Sequence, residues 1–330
     1  MKRWIACVLT GFLLTAGAAG CGPASPAEAA DGGGGTERLR VVATIFAPFD
    51  FARVVTGDRA DVTMLLPPAS ESHSFEPTPQ DTIRVQNCDV FLYVGGESDA
   101  WVDDVLASMD VSRMKVVTLM DCVEVVEEEI VEGMEDDEHE EEEEHDEEEA
   151  HDEAPEYDEH VWTSPKNAKL IVQKISDALC ETDAANAGAY RQNTAAYLAE
   201  LDKLDAAFQA VADSARRRTV VFGDRFPFRY FVDAYGLDYF AAFPGCSTET
   251  EPSAATVAFL IDKINAEQIP VVFHIELSNE KMAQAISEAT GARVLLLHAV
   301  HNISKTDFED GVGYLDLMWK NIDNLREALA

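Results

Sequence analysis

From position 39 onward the chain alternates between two hydrophobic patterns. Short apolar runs rich in β-branched residues, LRVVATIF at 39–46, then 62–66, DVFLYVGG at 89–96, and 115–119, have the length and composition of buried strands. Between them, apolar residues recur at helical spacing over 49–55, 80–87 and 101–109. Strands alternating with helices predict parallel β-α units. The alternation returns in the second half. Strands are predicted at 219–222, 237–243, 270–275 and 293–298, and helices over FPFRYFVDAYG, 252–265, 279–290 and 308–330. The last helix is predicted to carry Val312, Leu315, Met318, Trp319, Ile322 and Leu325 on one face. Between the halves, Pro165, with Ser164 as its cap, starts a helix whose apolar positions include Leu170, Ile171, Ile175, Ala178 and Leu179. A second helical stretch, 184–215, has no strong breaker apart from Gly188 and would run about 45 Å at 1.5 Å per residue, enough to bridge two lobes. The predicted fold class is α/β: two lobes, each with a roughly four-stranded parallel sheet flanked by helices. The predicted divisions are 39–183 for the first lobe, 184–215 for the linking helix and 216–330 for the second lobe.

One stretch has neither pattern. Residues 135–159 contain eighteen acids and the histidines His139, His145 and His151, with no Lys or Arg. Such a run has almost nothing apolar to bury, so a disordered loop is expected over about 127–159. Histidine in an acidic tract is the composition of a weak cation-collecting arm. The formal charge of the 330-residue chain is -37, which disfavours nucleic acid as a partner and favours a cation. Cys88, Cys122, Cys180 and Cys246 are scattered, with no C-x-x-C pair and no metal-ligand spacing.

Lys2 and Arg3, an apolar run over 4–14 and the small residues AGAAG form a secretory signal peptide, 1–20, too short for a comfortable transmembrane helix. The residues before Cys21 resemble a bacterial lipoprotein cleavage box, with Ala18 where leucine is usual. On that reading Cys21 becomes a lipidated N-terminus, and 21–38, rich in Gly, Pro and Ala, a flexible tether. Cleavage near Ala19 to a soluble form is the alternative.

The remaining histidines fall at informative places. His73 lies in the loop after the second strand, and His160 closes the acidic run before a helix. His298 ends the last strand, with His301 three residues on. Open parallel sheets bind ligands beyond the carboxyl ends of their strands, so His73 and His298 are expected to line a cleft between the lobes. Imidazole donors suit zinc, whereas manganese favours more carboxylate. Phe75 and Trp162 would limit solvent access.

HSFEPTPQD, DEHVWTSP, FRYFVDAYGL and TETEPSAA together resemble signature segments of the metal-binding lipoproteins of bacterial ABC importers, the zinc/manganese cluster of solute-binding proteins. The resemblance covers the chain from about Leu39 to its end. It implies two β-α lobes joined by a rigid long helix, one metal ion in the cleft, and capture without catalysis. Position by position, His73 matches the first family histidine and His160 the second. The third falls near VVFGDRFPFRYF, where Gly223 to Arg225 stand and no histidine is present. The fourth position, usually an acid, falls on His298. His301 and Glu276 are the further ligand candidates, and Glu249 ranks below them. Arg225 is expected to pair with Asp224 or with a carboxylate across the cleft. The expectation is therefore a monomeric, lipid-anchored protein on the outer face of the cytoplasmic membrane. It would capture Zn2+, with Mn2+ less favoured, and pass it to an ABC permease with its cytoplasmic ATPase. A manganese-specific binding protein, a metal-dependent surface adhesin, and a secreted zinc hydrolase using an open coordination position are the alternatives. Against the last, no HExxH or GxSxG motif is present.

Overall fold

Four short parallel strands build the first sheet. The computed structural model describes residues 38–72, 74–134, 156–247 and 252–330. In chain order the first lobe contains β1 (Leu39–Ala43), α1 (Phe46–Thr56), β2 (Ala60–Met64), α2 (Pro79–Gln86), β3 (Val90–Tyr93), α3 (Ala100–Ala107) and β4 (Lys115–Thr118). The strands lie in the order β2-β1-β3-β4, all parallel, with Val41 of β1 in register with Val62 and Val90. The start of α2 is set by its sequence. Thr78 and Asp81 cap each other reciprocally, and Pro79 takes a position that needs no N–H donor.

Two helices follow, α4 (Pro165–Thr182) and α5 (Ala187–Ser214). At 28 residues, α5 is about 42 Å long and buries Tyr190, Tyr197, Leu201, Leu204 and Phe208. The second lobe contains β5 (Thr219–Val221), β6 (Arg225–Phe226), α6 (Arg229–Tyr235), β7 (Asp238–Phe240), β8 (Phe243–Pro244), α7 (Ala254–Glu267), β9 (Val271–His274), α8 (Lys281–Thr290), β10 (Arg293–Leu296), α9 (Lys305–Glu309) and α10 (Tyr314–Ala328). The parallel pairs β10-β9 and β5-β7 are joined by a parallel bridge between Phe222 and Phe273, giving the order β10-β9-β5-β7. A small β6-β8 ladder stands apart.

Several sequence expectations shift. Ser164 sits at the start of α4, but its side chain makes no capping bond. The strand expected over 237–243 divides into β7 and β8. The helix expected over 308–330 breaks at Gly311, whose φ is 74°, and restarts at Tyr314, where the N–H is captured by Asp50 of α1. Trp319 is 40% exposed and so lies off the apolar face assigned to it. The edges of the acidic stretch are built into the fold. Glu127 pairs with Tyr157 in an antiparallel bridge, and Asp158 donates its N–H to Val126. Val126, Val131 and Met134 supply the reason, since they pack against the core. His73, His139, His145, His151, Glu249, Cys21 and the leader lie outside the described residues. Cys88, Cys122, Cys180 and Cys246 are free thiols. Among the described residues, no helix is long and apolar enough to cross a membrane.

The main core runs unbroken from Val41 of β1 through Leu204 of α5 to Phe273 of β9 and Leu325 of α10. A smaller cluster, including Leu260, Ile264, Val272 and Ile286, lies under α7 and α8.

Candidate metal centre

The buried pocket between the lobes begins with a hydrogen-bonding decision at His160. The residue sits just before a single 3-10 turn, Val161–Thr163, and is 1% exposed. Asp158 Oδ1 accepts both the backbone N–H of His160, at 2.7 Å, and its ring Nδ1, at 3.1 Å. A carboxylate at Nδ1 fixes the proton there and leaves Nε2 as an outward lone pair, the arrangement that orients metal-binding imidazoles. Asp158 is itself held by Tyr230, which donates to its backbone carbonyl at 2.6 Å. Gly245 gives the ring its room, because a Cβ there would lie 2.8 Å from His160 Cε1.

His301 repeats the device from the other lobe. Glu276 Oε1 accepts its backbone N–H at 2.9 Å and faces its Nδ1 at 3.3 Å, while Oε2 accepts the Ala299 N–H at 2.7 Å. The His160 and His301 rings meet edge to face, with centroids 4.8 Å apart. Both lean on Trp162, which donates to the Ala299 carbonyl at 2.7 Å and so ties the two loops together. The rings line one pocket together with Ser72, Phe75, Asp99 and Glu159.

His298 faces a different task. Its Nδ1 accepts the Val300 N–H at 3.0 Å, so its ring proton belongs on Nε2, and its backbone is clasped on both sides by Asn321. It does not line the pocket. Between the two histidines Val300 is buried with φ at 62°, a left-handed conformation that β-branched residues rarely adopt. Such strain costs about 1–3 kcal/mol. Here it accompanies the turn that brings His301, rather than His298, to His160. Glu276 has both oxygens engaged in holding that turn.

Electrostatics separate the groups. Burial disfavours a charged His160, but Asp158, Glu159 and Glu128 outweigh it and raise its pKa. Burial lowers the pKa of His301 and of His298 despite Glu276. Burial alone would raise the Glu276 carboxyl, but His298, the His301 hydrogen bond and the Ala299 N–H hold it well below the usual carboxylate range. Burial raises Glu159 and pushes Asp99 up to about 7. Asp99 Oδ2 is occupied by the Val94 and Gly95 N–H groups, and Glu159 Oε1 accepts the Ser98 N–H at 3.0 Å, with the Ser98 side chain also bonded to this carboxylate. Asp158 and Glu159 were hidden in the sequence among neighbouring acids; their adjacency to His160 was the one available signal.

At the place without the expected histidine, Gly223, Asp224 and Arg225 each have another task. A Cβ on Gly223 would lie 2.8 Å from the Ala283 Cα of α8. Asp224 caps the Ile275 N–H, at 3.2 Å. Arg225 reaches across to Glu71, with Nη2 to Oε2 at 3.1 Å and Nη1 to Oε1 at 3.3 Å, the carboxylate across the cleft anticipated for it. Among the described residues, an acid-and-thiol group, Glu128, Glu156 and Cys246, brings ligand-type atoms within 4.8 Å of one another. There Glu128 accepts the Gly245 and Cys246 N–H groups, and burial pushes the Cys246 thiol far up, away from the thiolate a metal needs.

Two β-α lobes on a long helix, closing over a pocket with two carboxylate-oriented imidazoles, define a solute-binding protein whose cargo is a metal ion. Nitrogen-rich donors of this kind suit zinc. Residues 41–328 match the family model of the zinc-uptake complex component A, periplasmic, and the chain belongs to that family. The high-affinity zinc uptake system protein ZnuA of Bacillus subtilis (strain 168) is 32% identical over 330 residues, covering 99% of this chain and 98% of that protein. The zinc-binding lipoprotein AdcA of Streptococcus pneumoniae (strain ATCC BAA-255 / R6) is 29% identical over 88% of this chain, which spans 56% of that longer protein. The Zn(II)-bound ZnuA-like domain of Streptococcus pneumoniae AdcA superimposes with a TM-score of 0.72 at 25% identity, covering 89% of this chain and 99% of that one. The chain is thus an extracytoplasmic zinc-capturing component of an ABC importer, and not an enzyme.

Proposed function

We propose that His160 and His301 hold the zinc ion through Nε2, with His73 as the third imidazole and Glu159 as the facing carboxylate. Asp158 and Glu276 orient the two rings. His298 supports the loop and is not a ligand. The carrying observation is the pair of rings 4.8 Å apart, each with Nδ1 on a buried carboxylate and both lining one pocket. Ser72 and Phe75, on either side of His73, line the same pocket, which supports the third assignment.

The histidines of the acidic stretch, His139, His145 and His151, form a weak collecting arm that raises the local zinc supply. Cys21 carries the lipid that anchors a monomeric protein to the outer face of the cytoplasmic membrane, beside the permease and its ATPase. Calorimetric zinc titration tests the division of labour. Deleting residues 135–155 should abolish weak sites and keep one tight site, while His160→Ala in the full chain should do the reverse. A tight site that survives His160→Ala would refute the assignment.

A further inference from the structure

We infer that the Arg225–Glu71 ion pair is a gate on the route by which a divalent cation enters and leaves the pocket; the inference rests on the His160/His301 reading. Three adjoining spaces form a row: an outer one beside Asp224 and Glu280, a middle one, and the inner pocket of His160 and His301. The outer one and the middle one share Glu71, Arg225 and Leu277 in their walls. The middle and inner spaces share Ser72 and His301. The ion pair therefore stands where an ion passes from the open cleft to the wall formed by His301.

Its build suits a gate. Arg225 belongs to the second lobe and Glu71 to the loop after β2 in the first, 154 positions away. The guanidinium makes two bonds to the carboxylate and one, at 3.4 Å, to the Ser247 carbonyl. Its side chain is 11% exposed and that of Glu71 is 43% exposed, so the arginine is the fixed post and the glutamate the moving leaf. The loop behind Glu71 is pinned. Asn302 donates to the Pro67 and Ser70 carbonyls, each at 2.8 Å, and Ala69 donates to Ile303 at 2.8 Å. These anchors hold the loop up to Ser70 and leave the Glu71 side chain as the part that can swing. An incoming dication competes with the guanidinium for the same carboxylate, and the outer space offers Asp224 and Glu280 as further acids to draw it in. Once the ion has passed, the pair re-forms behind it.

A gate and a simple field effect make opposite statements about two substitutions. Arg225→Gln and Glu71→Gln remove charges of opposite sign, so a field acting on the ion would move the rates in opposite directions. Removing either half of a gate speeds release in both. The measurement is stopped-flow zinc release from the full-length protein into excess chelator, with equilibrium affinity measured alongside. Both variants should release zinc about two- to fivefold faster, the scale of one partly exposed ion pair, with a smaller change in affinity. Raising ionic strength from about 0.05 M to about 1 M should speed release from the wild type and not from the variants. The exchanged double variant, Glu71→Arg with Arg225→Glu, should restore slow release. Release rates that are unchanged, or that shift in opposite directions, would overturn the gate. If Arg225→Gln fails to fold, Glu71→Gln and its salt dependence decide alone. A wild-type protein without tight zinc binding would overturn the pocket reading beneath it.

Discussion

Replacing His301 and His298 separately by alanine distinguishes a ligand from its support. Structural zinc sites are worth about 10–16 kcal/mol, so each donor of a four-donor site carries about 3–4 kcal/mol. Loss of His301 should therefore weaken zinc binding about 100- to 1000-fold. The backbone N–H of residue 301 keeps its bond to Glu276, so the loop should hold its course. His298→Ala removes the acceptor of the buried Val300 N–H. An orphaned buried donor costs about 1–3 kcal/mol of stability, with zinc affinity changed only through loosening of the turn. Competition against a chromophoric zinc chelator reads the first quantity, and thermal unfolding in chelator the second. If His298→Ala loses as much zinc affinity as His301→Ala, the tautomer argument for His298 is wrong.

Three further outcomes follow from the same geometry. Asp158→Asn removes the charge that orients His160 and should weaken zinc binding about 10- to 100-fold in the chelator assay; full affinity would show that the buried carboxylate is not needed. Zinc requires neutral imidazole, and the His160 pKa is raised, so affinity should be flat above that raised pKa. It should fall as pH drops through it, with His301, whose pKa is lowered, protonating only at more acidic pH. Calorimetry in buffers of different ionisation enthalpy should then show zinc uptake releasing about half a proton at the His160 pKa, approaching one below it and fading above it; release that does not change with pH would contradict this. Gly245→Ala places a methyl group 2.8 Å from His160 Cε1 and 2.9 Å from the Phe226 carbonyl, and should cost about 1–3 kcal/mol of stability together with zinc affinity. Wild-type affinity in a crystal with His160 unmoved would argue against it.

The β-α alternation was legible because buried parallel strands are short, continuous runs of β-branched residues, and Val41, Val90 and Val117 behave accordingly. The long helix was legible from apolar spacing and the lack of breakers. The break before Tyr314 was not, because it depends on Asp50, 264 positions away, capturing a backbone N–H. His160 drew attention from its place at the end of the acidic run, but Asp158 and Glu159 beside it were masked by like neighbours. His298 drew attention as the end of a strand. In the structure β10 stops at Leu296, and the left-handed Val300 hands the pocket to His301. Nothing in a valine's identity announces a positive φ, since that conformation is imposed by the surrounding packing. The Arg225–Glu71 contact was foreseen only as a type, because sequence does not pair residues so far apart.

The continuity of the main core through both sheets has a consequence for how the molecule comes apart. Two lobes joined by a linker would ordinarily melt as separate units, but here Phe273 and Leu325 share apolar contacts in one cluster with Val41 and Leu204. Neither half can shed water from its inner face alone. The protein should lose its structure in one cooperative step, with zinc shifting that single transition upward, and neither half expressed by itself should fold. The patch under α7 and α8, which has a separate core, is where amide exchange should reveal partial opening below the global transition.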